Sequence, residues 1–233
     1  MLPLTFLSTK DDFNFPSPEN SDKQGLLAIG GDLSPERLLA AYAKGIFPWY
    51  EPGCPILWWS PDPRLILNPV AFKVSRSLKQ TLKKPHTFTM DTAFSEVINA
   101  CATVAERSDN TWLSGEMREA YTQLHQMGYA HSFEIWSEKK LIGGLYGLGL
   151  GRAFFGESMF HRARDASKLA LYYLCQTLKS WHFDFIDCQL PTAHLQRLGA
   201  VIISRREFLH SLQETLQHPT CQGLWTTDFP DKS

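Results

Sequence analysis

The sequence predicts an α+β fold in which a small N-terminal domain, residues 1–62, precedes a larger mixed-sheet domain, residues 63–233. Two observations indicate this. The first 62 residues are rich in Pro, Gly and Trp, whereas the later residues alternate between strand and helix patterns. The chain is 43% hydrophobic and 12% aromatic, which is enough apolar material for a packed core. We find no internal repeat and no low-complexity tract.

The N-terminal segment contains one clear helix. Ser34 is a suitable N-cap, Pro35 fits the first turn, and Gly45 ends the apolar pattern between them. The stretch 45–64 then carries five prolines, which exclude a long helix or a central strand. Its three tryptophans either hold together a domain with little regular structure or provide a flat surface for stacking.

Residues 63–86 contain basic residues and no acidic ones. Ser75 is a predicted N-cap, and a helix after it would place Arg76, Lys79 and Lys83 on one face. That face is either a solvated surface or a phosphate-binding surface.

The remaining chain predicts strands and helices in alternation. The strands are 86–91, 130–136, 141–151, 152–160, 183–190 and 201–204, and the helices follow Thr92, Ser114, Asp165, Thr192 and residue 205. Three consecutive strands that meander, then a helix, a strand, a helix and a strand, indicate an acyltransferase-like core.

Charge and cysteine content exclude several classes of protein. The formal net charge is −1, so the chain is not uniformly basic. We see no signal peptide and no apolar run near the ~18 residues of a membrane span, which predicts a cytoplasmic protein. The five cysteines form no CxxC motif, and the histidines show no metal-ligand spacing. We therefore expect reduced thiols and no bound metal.

Two glycine-containing motifs are poor matches to known chemistry. Gly147, Gly149 and Gly151 precede a predicted strand rather than a helix, so a hairpin is favoured over a nucleotide-binding loop. The run 156–160 lacks the second glycine of a nucleophile elbow, which disfavours a serine hydrolase.

The strand 183–190 carries the most informative polar residues. Alternation along it predicts that Asp187 and Gln189 share one face and that Cys188 points to the other. A carboxylate inside an apolar strand must be paired, either for structure or in a site. Glu157 interrupts the strand 152–160 similarly. If the two strands are neighbours, Glu157, Asp187 and Gln189 converge in an acidic pocket suited to a cationic substrate.

Several motifs together resemble one enzyme family. The stretch 25–50, GLLAIGGDLSPERLLAAYAKGIFPWY, is followed by WWSPDPR at 58–64, FFGESMF at 154–160, DASK at 165–168 and IDCQ at 186–189. These motifs, in this order, resemble leucyl/phenylalanyl-tRNA–protein transferases, and the similarity runs from about residue 14 to about residue 226.

The resemblance implies a function and a fold. Enzymes of this family move Leu or Phe, less readily Met, from aminoacyl-tRNA to the α-amine of proteins that begin with Arg or Lys. The product enters the bacterial N-end rule degradation pathway. The implied fold is a small N-terminal domain plus a C-terminal domain similar to the GNAT acyltransferases. The resemblance implies no metal and no coenzyme, with Leu-tRNA, Phe-tRNA and proteins as partners.

The resemblance also assigns residues. Asp187 and Gln189 match catalytic positions; we expect Gln189 to orient the amine, Asp187 to fix the amide, and Glu157 to pair with the cationic acceptor. Trp49 and Trp112 match positions that contact the terminal adenosine. The Leu/Phe pocket matches Leu145, Phe154, Leu171, Leu174 and Ile186. Arg76, Lys79, Lys83 and Lys84 would meet acceptor-stem phosphates, which position the RNA without reading its sequence.

Two alternatives compete with this interpretation. An acyl-CoA-dependent N-acetyltransferase would need a glycine-rich pyrophosphate cradle, and the sequence at 161–166 lacks glycine. A non-catalytic RNA-binding module would use the basic residues and the tryptophans but would not need Asp187.

Overall fold

A computed structural model describes residues 4–9, 13–105 and 113–226. Within these ranges the chain forms eleven strands, β1 to β11, and seven α-helices, α1 to α7, arranged on two sheets. The larger sheet contains parallel and antiparallel neighbours, so the predicted α+β class with a mixed sheet is confirmed.

The smaller sheet lies in the N-terminal part of the chain. Its order is β1-β2-β4-β3, and α1 is inserted between β2 and β3. The strands are β1 (Thr5–Leu7), β2 (Leu26–Gly30), β3 (Phe47–Pro48) and β4 (Leu57–Trp59). Trp58 is fully buried, and its indole N–H donates to the carbonyl of Gly30 at 2.8 Å. This tryptophan therefore acts as a structural anchor of the proline-rich segment.

The larger sheet has seven strands in the order β11-β5-β10-β9-β8-β7-β6. They are β5 (Arg64–Leu67), β6 (Thr87–Met90), β7 (Ala130–Ser137), β8 (Lys140–Leu150), β9 (Ala153–His161), β10 (Phe185–Asp187) and β11 (Val201–Ile203). The neighbours β9 and β10 are parallel, with α5 in the crossover between them, while the other neighbouring strands run antiparallel.

The helices cover this sheet with apolar side chains. They are α1 (Pro35–Tyr42), α2 (Arg76–Thr81), α3 (Phe94–Ala105), α4 (Gly115–Gln126), α5 (Ala166–Ser180), α6 (Ala193–Arg197) and α7 (Arg205–Thr215). One core cluster includes residues of α1, α3, α4 and α7, and the other is built around α5. The predicted caps Ser75, Ser114 and Thr192 each accept a backbone N–H, which confirms those helix starts.

The structure differs from the sequence predictions at several places. The prolines of 45–64 do not exclude a central strand, because β4 lies between β2 and β3 and its three residues contain no proline. The strand β10 ends at Asp187 rather than at residue 190. Helix α2 ends at Thr81, before Lys83, because Pro85 disfavours helical backbone at the residue before it. Strand β5 was not predicted, although its apolar Leu-Ile-Leu run before Asn68 and Pro69 is a signal for it.

In the parts of the chain that the structure describes, no helix is long and apolar enough to cross a membrane. The five cysteines, which all lie in the described ranges, form no disulfide with one another.

Candidate active site

Two cavities meet at the carboxyl end of β10, and the residues Glu157, Cys188 and Gln189 line both of them. The meeting point is formed where β9 and β10 run side by side, since Phe155 pairs with Asp187 two residues before Glu157 and Gln189. The condition set for the convergence of these residues, that the two strands are neighbours, is therefore met.

The first cavity, of about 310 Å³, is mainly apolar. Its lining includes Leu145 of β8, Leu171 and Leu174 of α5, and Ile186 of β10. These are four of the five residues that the resemblance assigned to the Leu/Phe pocket, and the structure brings them together.

Phe154, the fifth, does not line this cavity. It is fully buried and packs behind the cavity wall, with its ring edge-on to Phe133 at 6.3 Å and near Trp225 at 5.9 Å. The strand places its side chain among core aromatic rings, and its assignment to the Leu/Phe pocket stays a prediction.

The second cavity, of about 280 Å³, is lined by residues of the N-terminal segment as well as the larger sheet. Phe47, Pro48 and Trp49 form one wall, with Leu190 and Thr192 among the residues opposite. Trp49 is 44% exposed, and its ring lies 5.8 Å from that of Trp59. Trp59 also donates its indole N–H to the Trp49 carbonyl at 2.6 Å, which fixes the backbone there. Trp112 lies outside the described residues.

Glu157 projects into the cleft because of a β-bulge. Tyr146 pairs with Ser158 and Gly147 pairs with Gly156, so Glu157 is the extra residue on β9. A bulge interrupts the normal alternation and re-aims a side chain. No strand pattern in the sequence reveals this, since the apolar run around Glu157 appears regular.

The Glu157 carboxylate is surrounded by hydrogen-bond donors. Tyr42 of α1 donates to Oε1 at 2.7 Å, and Tyr121 of α4 donates to Oε2 at 2.9 Å. The Gln189 amide nitrogen also donates to Oε1, at 3.2 Å. Desolvation at the bottom of the cleft outweighs these bonds and raises the pKa of Glu157 to about 7.

Asp187 is fully buried and forms a bidentate ion pair with Arg64 of β5. The guanidinium Nε lies 2.9 Å from Oδ1 and Nη2 lies 2.6 Å from Oδ2. The Arg64 guanidinium also lies over the rings of Phe47 and Phe208, at 5.0 and 4.4 Å from the ring centroids. The partner that a carboxylate in an apolar strand requires is thus a buried arginine of the WWSPDPR motif.

Gln189 does not share a strand face with Asp187, so the predicted alternation is wrong at this point. Gln189 follows the end of β10 and has a positive φ of 56°. Its N–H donates to Asp187 Oδ1 at 2.9 Å, and its carbonyl accepts from the Leu65 N–H at 3.1 Å. These two bonds hold a left-handed backbone that a non-glycine residue rarely adopts. Asp187 therefore fixes the backbone of Gln189 rather than its side-chain amide.

The basic residues form an exposed surface on and just after α2, a helix that packs against α5. Arg76 and Lys79 lie on α2, and Lys83 and Lys84 follow it; all four are exposed. Thr81 donates to Asp165 Oδ2 at 3.4 Å, which ties α2 to the start of α5, the helix that carries Leu171.

Sequence reasoning missed Arg64, Tyr42 and Tyr121, which surround the predicted carboxylates. The acid-free character of 63–86 drew attention to exposed lysines, whereas Arg64 is buried. Within the described ranges, no three His, Cys, Asp or Glu side chains are grouped so that they could hold a metal ion.

Comparison with known proteins places this site in context. The family model "Leucyl/phenylalanyl-tRNA protein transferase" matches residues 66–213, and the model of that family's N-terminal domain matches residues 31–62. A relative in Legionella pneumophila (strain Paris), a leucyl/phenylalanyl-tRNA–protein transferase, is 67% identical over 217 residues, which cover 93% of this chain and 98% of the relative. A second leucyl/phenylalanyl-tRNA–protein transferase, from Lawsonia intracellularis, is 54% identical over 217 residues, which cover 92% of this chain and 95% of that relative.

Among solved structures, an aminoglycoside acetyltransferase from an uncultured soil metagenomic sample superposes with a TM-score of 0.37 at 14% identity, covering 55% of this chain and 87% of that one. The matched family models and the cleft that they span define an enzyme of the acyltransferase class. Within that class, the chain belongs to the leucyl/phenylalanyl-tRNA–protein transferase family.

Proposed function

We propose that this enzyme moves leucine or phenylalanine, and less readily methionine, from aminoacyl-tRNA to the α-amine of proteins that begin with Arg or Lys. The product carries a new N-terminus that directs it into the N-end rule degradation pathway of the bacterial cytoplasm. The observation that carries this proposal is the junction of an apolar cavity with a Trp49-lined cavity at Glu157 and Gln189.

In this proposal the apolar cavity takes the side chain of the donor amino acid. Leu145, Leu171, Leu174 and Ile186 offer shape and no hydrogen bonds, so the cavity selects by size. Leucine and phenylalanine both satisfy such a cavity, which accounts for a dual specificity. Phe154 supports the cavity from behind by packing in the same core cluster.

The Trp49 side of the cleft takes the terminal adenosine. Its partly exposed indole offers a stacking surface, and stacking of a base on an aromatic ring contributes about 1–3 kcal/mol. Trp112 is assigned the same role by its position in the sequence. Because Trp49 and Tyr42 belong to residues 1–62, both proposed domains, 1–62 and 63–233, contribute to the site.

On the acceptor side, Glu157 pairs with the cationic α-ammonium and Gln189 orients the amine. The aminoacyl ester is already activated, so the enzyme needs placement and polarity rather than a covalent intermediate. No metal or coenzyme takes part in the proposed reaction. Asp187, sealed beside Arg64, is a positioning residue because its carboxylate holds the Gln189 backbone.

The proposal predicts a selective transfer. Pure protein is incubated with radiolabelled leucyl-tRNA and two peptides that differ in the first residue, Arg or Ala. We expect label only in the Arg peptide, and addition of acetyl-CoA should not replace the tRNA. Label in both peptides would contradict the acceptor specificity, and tRNA binding without transfer would favour the RNA-binding module.

The exposed lysines predict a salt effect. Replacing Lys83 and Lys84 by Ala should weaken tRNA binding and reduce the slope of log K against log salt by about 0.7–0.9 for each phosphate that is no longer neutralised. A matched control replaces Lys139 and Lys140, an exposed basic pair where the β7–β8 turn leads into β8. An unchanged slope in the Lys83 and Lys84 variant would mean that these lysines are only solvated.

A further inference from the structure

Three oxygen-bearing groups at the bottom of the cleft form a closed ring. Tyr42 contacts Glu157 Oε1 at 2.7 Å, Tyr121 contacts Glu157 Oε2 at 2.9 Å, and the two phenol oxygens lie 2.6 Å apart. Both tyrosines are buried, and they come from α1 and α4. Each of the three distances is that of a hydrogen bond with a proton between the oxygens.

The ring needs three protons. Each phenol supplies one, and a hydroxyl donates to a single acceptor in a linear bond. When Glu157 is ionised, both phenol protons point to the carboxylate, and the contact between the two tyrosines has no proton. When Glu157 is protonated, the carboxyl donates to one tyrosine, that tyrosine donates to the other, and the other donates back to the carboxyl group. The ring is therefore complete only with a proton on Glu157.

The phenols do not supply the missing proton by changing their own state. Burial and then the neighbouring Glu157 charge raise the pKa of Tyr42 and of Tyr121 well above the ordinary value. Both hydroxyls thus stay protonated at neutral pH.

The other groups that act on Glu157 come from three strands. Asp187 raises the pKa of Glu157 and Arg64 lowers it. Tyr146, on β8, is fully buried, and its pKa is raised well above the ordinary value by burial and then by the Glu157 charge. The amide of Gln189 is the remaining neighbour and does not titrate. Glu157 is therefore the member of the ring that gains and loses a proton.

We propose that Glu157 is the group that takes the proton from the acceptor's α-ammonium, and that Tyr42 and Tyr121 are positioning residues that close the ring when this proton arrives. This inference rests on the proposed function. A carboxylate is a better acceptor than the neutral Gln189 amide, which is a very weak base. The pKa of Glu157, about 7, lies close to the 7.7–8.0 of an α-amine, so the proton moves with little cost.

The proton balance of the reaction is complete in this scheme. The α-ammonium loses one proton to the Glu157 carboxylate, and the free amine forms the C–N bond at the ester carbonyl. The C–O bond to the ribose then breaks, and the second nitrogen proton passes to the leaving ribose oxygen. Glu157 finally releases its proton to solvent, which restores the ionised state for the next cycle.

The test is the pH profile of the single-turnover transfer rate at saturating Arg peptide. For the wild type we expect a rising limb with a midpoint near pH 7, because Glu157 must be ionised. Both tyrosines donate to the charged carboxylate, and these charge-assisted bonds favour the ionised form more than the third, neutral bond of the closed ring favours the protonated form. Tyr121→Phe and Tyr42→Phe should therefore each move that midpoint up by about one pH unit. The rate at pH 6 should then fall about tenfold, and the rate at high pH should change much less. Glu157→Gln should slow transfer by about 100-fold or more and replace the limb near pH 7 by one that follows the α-amine itself, whose pKa is about 7.7–8.0.

Tyr146→Phe is the matched control. The Tyr146 hydroxyl is buried beside the ring but has no hydrogen-bond partner among the described residues. Removal of this hydroxyl should change the transfer rate by the same factor at every pH and leave the midpoint of the profile where it is. If Tyr42→Phe and Tyr121→Phe likewise change the rate by one factor at every pH, with no shift of the midpoint, the role of these tyrosines is structural and the proposal is wrong. A rising limb that keeps its midpoint near pH 7 in Glu157→Gln would also overturn it.

An infrared titration tests the ring without the reaction. As the pH falls, the absorption of a protonated carboxyl should appear with a midpoint near pH 7. This absorption should be missing in Glu157→Gln, and its midpoint should move to higher pH in Tyr121→Phe. The proposal is contradicted if these differences between the wild type and the variants are not observed. If the infrared result is as expected but the wild type transfers nothing to the Arg peptide, the proposed function is wrong. The titration of Glu157 within the hydrogen-bonded ring is then still supported.

Discussion

Asp187→Ala is expected to slow transfer by about 100-fold or more and to lower the free energy of unfolding by about 3–5 kcal/mol. The stability loss follows because Arg64 would remain buried as an uncompensated charge. The activity loss follows because the Gln189 N–H would lose its acceptor, which releases the left-handed backbone at the cleft. Urea unfolding and single-turnover transfer measure the two effects separately.

A double variant separates the two roles of Asp187. Replacing both members of a buried ion pair by apolar residues of similar volume is often neutral for stability. Arg64→Met with Asp187→Leu should therefore recover most of the lost stability, yet it should remain inactive because Gln189 still lacks its acceptor. If the double variant transfers at the wild-type rate, Asp187 contributes only to the stability of the fold and does not position Gln189 for the reaction.

Leu171→Trp is expected to change donor choice strongly. Leu171 is buried at the wall of the apolar cavity, and an indole there would fill much of its 310 Å³. The larger phenylalanyl group should suffer more than the leucyl group, so the ratio of phenylalanyl to leucyl transfer should fall by at least about tenfold. The measurement is a competition between the two aminoacyl-tRNAs in one reaction.

The same substitution in the neighbouring cavity serves as the control. Leu190 lines the Trp49 side and is 41% exposed, so Leu190→Trp leaves the apolar cavity unchanged. Its donor ratio should equal that of the wild type. A Leu171→Trp enzyme with an unchanged donor ratio would mean that the donor side chain binds elsewhere.

The sequence predicted most elements after residue 86 and, on the condition that β9 and β10 are neighbours, the convergence of Glu157 with Gln189. The elements follow from local patterns, because strand alternation, helix caps and glycine ends depend on neighbours in the chain. The parallel pairing of β9 with β10 was not predicted, although the helix between them supplies the crossover that such a pair needs.

The details that decide the chemistry depend on distant residues. Glu157 is displaced by a bulge that arises from its pairing with β8, and Gln189 is turned by a bond to a carboxylate that is itself held by Arg64. Tyr42 and Tyr121 reach Glu157 across 115 and 36 residues of sequence. No periodicity in one sequence encodes such pairings, so they required the structure.

In the proposed reaction, donor and acceptor meet at Glu157 and Gln189, with the donor side chain in the apolar cavity. The most direct measurement is a crystal structure with a leucyl-adenosine analogue, in which a stable amide replaces the reactive ester, together with a dipeptide that begins with Arg. We expect the leucyl group against Leu171, the adenine on Trp49 and the dipeptide amine within hydrogen-bond distance of Glu157. An analogue seated away from this junction, or an amine that points away from Glu157, would contradict the proposed meeting point.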